Sequence, residues 1–164
     1  AFYRDIVTPL LTSRRRVIHG SYSPLNICIG PKGQTKIIDF ETLSTGPAEL
    51  DLAELLSYPM VNLAQEEASF LDQYANDAYR NEVDANFRTR IQFAAVARCI
   101  DYAGTLTLRK SRFEHDGLHQ LAQAQLHRRN LYLHQAVRRA AEARVSNTLT
   151  KLLESLLRLT NEQT

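Results

Sequence analysis

A single hairpin signal, set in a chain that otherwise carries helical patterning, most constrains what this sequence can fold into. Asn26-Ile27-Cys28-Ile29 and Thr35-Lys36-Ile37-Ile38 are β-branched runs. Between them lies Gly30-Pro31-Lys32-Gly33, the composition of a tight connection between paired strands. No other segment predicts β-structure with its own turn. Residues 1–12 read as the end of a helix, with Phe2, Ile6, Leu10 and Leu11 near one face. A basic turn, Ser13-Arg14-Arg15-Arg16, and a short apolar step, Val17-Ile18, lead from that helix towards the hairpin.

After Gly46-Pro47 the pattern becomes helical and stays so. Leu50 to Tyr58 predicts a short helix stopped by Pro59. Asn62 is placed to cap a helix running to about Arg80, with Phe70, Leu71, Tyr74 and Ala78 on one face. Asp84 is placed to cap a longer one to about Leu108, with Ile91, Ala94, Ala95, Cys99 and Tyr102 inward. Asp116 precedes a helix to about Val145, and Ser146 caps a last one carrying Leu149, Leu152, Leu153, Leu156 and Leu157. No repeat, low-complexity segment or linker divides the chain. The expectation is one domain, 1–164, of α+β class and mostly α-helical, with the hairpin in segment 17–41 and a helical body over 50–160.

Composition narrows the setting. A chain of 164 residues is long enough for one real core, and 44% hydrophobic with 23% charged residues is ordinary for a globular protein. No apolar run approaches the roughly 18–20 residues that cross a bilayer, and the N-terminus lacks the shape of a signal peptide. Cys28 and Cys99 offer neither a disulfide framework nor Cys-x-x-Cys spacing, so both read as buried thiols in a reducing cytoplasm. The net charge of +2 divides into an acidic first half and a basic second half. The basic residues (Arg109, Lys110, Arg112; Arg128, Arg129; Arg138, Arg139) fall in short groups along helices without interleaved aromatics. They read as solvated helix faces, so a nucleic-acid partner is not expected, and neither is a membrane.

The chemistry-bearing segment is His19-Gly20-Ser21-Tyr22-Ser23-Pro24-Leu25-Asn26, followed after the hairpin by Ile37-Ile38-Asp39-Phe40-Glu41. Asn26 alone suits a turn and Asp39 alone a strand end. One precedes the first hairpin strand and the other follows the second, so pairing brings both side chains to one place. Two oxygen donors there suit Mg2+, which takes one or two protein ligands and fills the rest with water and phosphate.

These residues resemble the aminoglycoside phosphotransferase and choline kinase family, whose pattern is roughly His-Gly-Asp-x-x-x-x-Asn, a hairpin, Ile-Asp-Phe/Trp-Glu, then Gly-Asp/Pro and Asp-Leu-Ala. This chain supplies His19-Gly20, Asn26, Ile38-Asp39-Phe40-Glu41, Gly46-Pro47 and Asp51-Leu52-Ala53 in order, about a quarter of its length. The resemblance implies the C-terminal lobe of a protein-kinase-like fold that transfers a phosphoryl group from ATP to a hydroxyl of a small acceptor, cationic or polyol as the family's acceptors are. It implies that Asn26 and Asp39 hold Mg2+ and the nucleotide phosphates, that His19 braces the loop, and that Asp51 accepts hydrogen bonds from it. Glu41 matches the motif but fits a solvated carboxylate equally. Arg15 or Arg16 lies near enough in sequence to reach a phosphate, with a solvated turn the plainer reading. The acidic stretch Glu66, Glu67, Asp72 and Asp77 is compatible with a cationic acceptor.

Two departures bear on activity. Ser21 stands at the family's catalytic Asp position, and a serine hydroxyl is neither charged nor basic at pH 7. Loss of such a base costs about 10²–10⁴-fold in rate. The family's ATP-binding N-terminal lobe, with its strand lysine, has no counterpart before Ser21, and no phosphate-cradling glycine loop occurs. The expectations are therefore an impaired phosphotransferase lobe, with a pseudokinase-like scaffolding module as the alternative. Its exposed apolar face would meet an N-terminal lobe, a second chain or another copy of itself.

Overall fold

The computed structural model describes residues 7–59, 65–79 and 86–161. The elements in chain order are α1 (Thr8–Leu11), β1 (Arg15–Ile18), β2 (Ile27–Ile29), β3 (Thr35–Ile37), β4 (Ser44–Pro47), α2 (Glu49–Ser57), α3 (Glu67–Tyr79), α4 (Phe87–His115), α5 (His119–Glu142) and α6 (Asn147–Asn161). Short 3-10 turns at Pro24–Asn26 and Phe40–Thr42 precede β2 and β4. The expectations resting on Phe2, Ile6, Asn62, Arg80 and Asp84 lie outside the described residues, as does the side chain of Ala78.

The expected hairpin forms, with Ile27 opposite Ile37 and Ile29 opposite Thr35. It is not the only β-structure. β1 pairs antiparallel with β4, Arg15 opposite Pro47 and Ile18 opposite Ser44, so Val17-Ile18 is part of a strand and Gly46-Pro47 ends another. Each strand has four residues and they join across a long connection, so neither carries a local turn signal. Cys28 is exposed, contrary to expectation, because it lies on a hairpin whose strands are themselves largely exposed. Leu10 and Leu11 also part company, Leu10 entering the core and Leu11 facing solvent.

The helical body is built on the antiparallel pair α4 and α5, with α6 packed on α5 and α2 on α4. Val96, Cys99, Ala103 and Leu106 of α4 meet Tyr132, Leu133, Ala136 and Ala140 of α5, and Leu149 and Leu153 of α6 close this core. A second cluster joins Leu52 and Leu56 of α2 to Leu71 of α3 and to Phe87 and Ile91 of α4. Small residues (Ala53, Ala94 and Ala95) fill the contact between α2, α4 and Leu10, allowing α2 to sit close against α4. Asp116 does not start α5. It closes α4, with Gly117 N–H on Glu114 O and Leu118 N–H on Phe113 O, the paired bonds of a helix C-terminus. Burial pushes the Cys99 thiol up to about 12, which makes it inert. No helix of the described residues is long and apolar enough to cross a membrane.

The basic pairs on α5 are not uniformly solvated. Arg129 and Arg139 are buried, because neighbours on a helix point about 100° apart and these two fall on the side packed against the body. Arg139 is 2% exposed, and both of its terminal nitrogens are hydrogen-bonded. Its Nη1 and Nη2 reach Glu67 Oε1 and Oε2 at 2.6 and 2.8 Å, while Gln92 Oε1 and Leu56 O accept at 3.0 Å each. One guanidinium thus ties α2, α3 and α4 to α5. Burial raises the Glu67 pKa, but the bond and charge of Arg139 outweigh it and leave the carboxyl below its ordinary value. Its contribution is therefore present above the ordinary carboxylate range and lost as pH falls through the lowered value. Arg139→Ala strands this carboxylate and should cost about 3–5 kcal/mol. Chemical denaturation at neutral pH checks it, and a loss under about 1 kcal/mol would place Arg139 among ordinary surface pairs.

Candidate functional site

The site is assembled where β1 ends, where the hairpin begins and ends, and where α2 starts. Asp51 lies in the first turn of α2, where the helix dipole favours a negative charge. Its Oδ2 accepts the His19 backbone N–H at 2.7 Å and its Oδ1 the Gly20 N–H at 2.9 Å. Two consecutive loop amides are therefore satisfied by one carboxylate.

His19 is buried and its ring links both halves of the motif. Nδ1 accepts the Ser21 N–H at 3.3 Å, which leaves Nε2 as the protonated nitrogen, donating to Ile38 O at 2.9 Å. Both nitrogens are occupied by backbone, so His19 cannot take a proton from the Ser21 hydroxyl. Its ring packs against Phe40 at 4.8 Å between centroids and faces Tyr22 at 6.0 Å. Burial, with the nearby Asp51 charge, raises the Tyr22 phenol pKa and keeps it protonated.

Asn26 and Asp39 come together across the base of the hairpin. Asn26 Nδ2 donates to Ser21 O at 2.9 Å and lies 3.3 Å from Asp39 Oδ2 and 3.4 Å from Ser21 Oγ. Asp39 holds a left-handed backbone (φ 68°, ψ 57°), uncommon for a non-glycine residue, which turns the chain from β3 into the 3-10 turn. The amide nitrogen faces Ser21 and Asp39, so the Asn26 carbonyl oxygen joins the Asp39 carboxylate as a second oxygen donor only with the amide turned over. That donor pair suits a hard cation. No group of three or more His, Cys, Asp or Glu side chains able to hold a metal occurs among the described residues. Glu41 is exposed and Arg15 donates to Thr45 O, across the β1–β4 pair. Two of the acidic residues of α3 are already engaged, Glu67 with Arg139 and Asp72 with Arg88.

Three contributors escape sequence reasoning. Thr42 donates its hydroxyl to His19 O at 2.9 Å, Arg98 donates to Gly20 O at 3.0 Å, and Glu54 pairs with Arg98 at 3.2 Å. Thr42 adjoins the motif and was within reach of inspection. Arg98 is 78 residues from Gly20 and carries no local signal. A cavity of about 370 Å³ opens beside the loop, lined by His19, Tyr22, Phe40, Asp51, Phe70 and Tyr74 among others, but not by Ser21, Asn26 or Asp39.

Two measurements test this geometry. Gly20 has φ +81° and an added Cβ would lie 2.5 Å from Thr42 O, whereas Gly33 has φ +76° and open space around it. Both substitutions to alanine incur about 1–2 kcal/mol of left-handed strain, but only Gly20→Ala adds a backbone clash. Its melting temperature should fall further than that of Gly33→Ala, and equal losses would contradict the packed loop. Glu54 is raised above the ordinary carboxyl value, by burial first, against the Tyr102 hydrogen bond and the Arg98 charge. A raised carboxyl contributes stability below its unfolded pKa of about 4.3 and loses it as pH rises through the folded value. Glu54→Gln should flatten the stability–pH curve above about pH 4. A curve parallel to wild type there would show that Glu54 does not titrate abnormally.

The sequence profile of the phosphotransferase enzyme family matches residues 2–85, just over half of the chain, and spans the whole constellation from His19 to Asp51. No curated protein and no solved structure matches. With His19, Asn26, Asp39 and Asp51 drawn together inside the matched segment, the chain belongs to the phosphotransferase enzyme family, as its resemblance to the aminoglycoside phosphotransferases implied.

Proposed function

We propose that this chain is the C-terminal, kinase-like lobe of an ATP-dependent phosphotransferase acting on a hydroxyl of a small molecule. The observation that carries the reading is the meeting of Asn26 and Asp39, 3.3 Å apart, on a loop of a family-matched segment. In this reading Asn26 and Asp39 hold Mg2+, which when bound neutralises charge on the transferring phosphates. Asp51 and His19 keep the loop in shape and do not touch the reacting atoms. Ser21 occupies the position from which an acceptor hydroxyl is oriented.

Ser21 sets the expected level of activity. Its hydroxyl has Asn26 as neighbour and no free imidazole beside it, so it has no means of becoming a base. Positioning and electrostatics remain, and they supply much of the catalysis in phosphoryl transfer. Turnover should therefore be low rather than tuned for flux. A scaffold without catalysis is the other reading, favoured by this same absence of a base.

A further element should cover the site. Val17, Phe40, Leu43 and Ile37 rim the cavity beside His19 and are 70%, 51%, 54% and 39% exposed. Burial of such a rim is worth about 25 cal/mol per Å², and an ATP-binding lobe, from the same or a second chain, is the proposed occupant.

Thermal unfolding with and without millimolar Mg2+–ATP tests the reading in the full-length protein. Selective binding to the folded state raises stability by RT ln(1 + [L]/Kd), about 2.7 kcal/mol at a hundred times Kd. Asp39→Ala should abolish the shift, and Ser21→Asp should raise turnover by about 10²–10⁴-fold. No shift with wild type and no turnover with Ser21→Asp would sink the phosphotransferase reading and leave the scaffold.

A further inference from the structure

Helix α4 reaches the loop from beyond the family-matched segment. Arg98 Nη2 donates to Gly20 O at 3.0 Å and lies 3.2 Å from Glu54 Oε2, while Tyr102 donates its hydroxyl to Glu54 Oε1 at 2.5 Å. The Glu54 side chain is 1% exposed, so this carboxylate is committed to Arg98 and Tyr102.

The atom Arg98 holds is decisive. Gly20 O and the Ser21 N–H belong to one planar peptide unit and point in opposite directions. Arg98 takes the oxygen, and His19 Nδ1 takes the N–H at the long distance of 3.3 Å. The stronger hold is the charge-assisted one. The two preceding amides, of His19 and Gly20, end on Asp51 instead. Helix α2 therefore sets the planes before Gly20, and α4 sets the plane that leads into residue 21. A single nitrogen, Nη2, serves both the Gly20 carbonyl and the Glu54 carboxylate, a charge shared between loop and helix.

We propose that Arg98 is a positioning residue of this site: by fixing the Gly20–Ser21 peptide plane, it sets the direction in which the residue-21 side chain enters. What that side chain does rests on the phosphotransferase reading, whereas the clamp itself does not.

Amide hydrogen exchange by NMR, well below the unfolding temperature, tests the clamp in the full chain. Arg98→Ala should speed exchange at the Ser21 amide by about tenfold or more while the His19 and Gly20 amides, held by Asp51, stay within about threefold. Arg98→Lys should recover part of the protection, and Tyr102→Phe should lose a smaller part. An unchanged Ser21 amide, or an equal rise at all three amides, overturns the proposal, the second outcome indicating general loosening. Where Arg98→Ala does not fold, Arg98→Lys and Tyr102→Phe carry the same comparison with the same criteria. A second arm adds Arg98→Ala to the Ser21→Asp protein and follows phosphoryl transfer. Turnover should fall about 10–100-fold with the KM for Mg2+–ATP little changed, and an unchanged kcat overturns the proposal. If Ser21→Asp is silent and wild type shows no shift with Mg2+–ATP, the phosphotransferase reading fails while the exchange pattern still decides the clamp.

Discussion

Two adjacent backbone N–H groups, those of His19 and Gly20, end on the two oxygens of Asp51, and the geometry of the loop follows from that shared acceptor. Loop amides turned inward must find partners or forfeit their hydration. Here the partner is a carboxylate at the start of a helix, where the backbone dipole favours its charge. The helix is in turn immobilised. Glu49 binds Arg90 at 2.7 Å and Ser13 at 2.9 Å, Glu54 binds Arg98 and Tyr102, and Leu52 and Leu56 lie in the core. Of three carboxylates on one short helix, the outer two are thus tied to α4. The middle one carries the loop.

Such an arrangement explains why a small β-region with little core of its own keeps a defined shape. β2 and β3 are three residues each and largely exposed, a length at which an isolated hairpin is marginal in water. Order is imposed at its base. Ile38 N–H bonds Asn26 O at 3.0 Å, His19 Nε2 holds Ile38 O, and the Phe40 ring packs on His19. The left-handed Asp39 lies between those two anchors. A non-glycine residue in that region costs of order 1 kcal/mol and persists when its surroundings over-determine it.

How far the sequence foretells this depends on the range of each signal. The hairpin, the loop spacing and the helical body are written in short-range patterns, and all three form. The β1–β4 pair is written nowhere locally: its strands are short, half polar and joined across the entire hairpin. Cys28 looks apolar in its neighbourhood, yet burial depends on which layer covers a strand, and a run of four residues does not encode that. Asp116 has the composition of a helix start and serves as a helix end, because Gly117 after it supplies the closing turn. Arg139 and Arg129 look like surface charge until the helix phase is fixed by packing. Arg98 is the extreme case. Its contact with Gly20 is a product of tertiary structure alone.

The same geometry bears on the substitution at position 21. Ser21 Oγ and Asp39 Oδ2 flank one amide nitrogen, that of Asn26, whose shortest bond is to Ser21 O. A carboxylate at 21 would set a second negative charge beside Asp39. With no cation present, two such charges repel, and one of them protonates or swings away. With serine there, only Asp39 contributes charge among residues 21, 26 and 39. Under the phosphotransferase reading, replacement of the aspartate therefore does two things at once. It removes the group that orients or deprotonates the acceptor, and it lowers the electrostatic demand for a cation between residues 21, 26 and 39. Loop architecture and catalytic competence are separable here: the former depends on Asp51, His19 and Arg98, none of which needs the missing carboxylate.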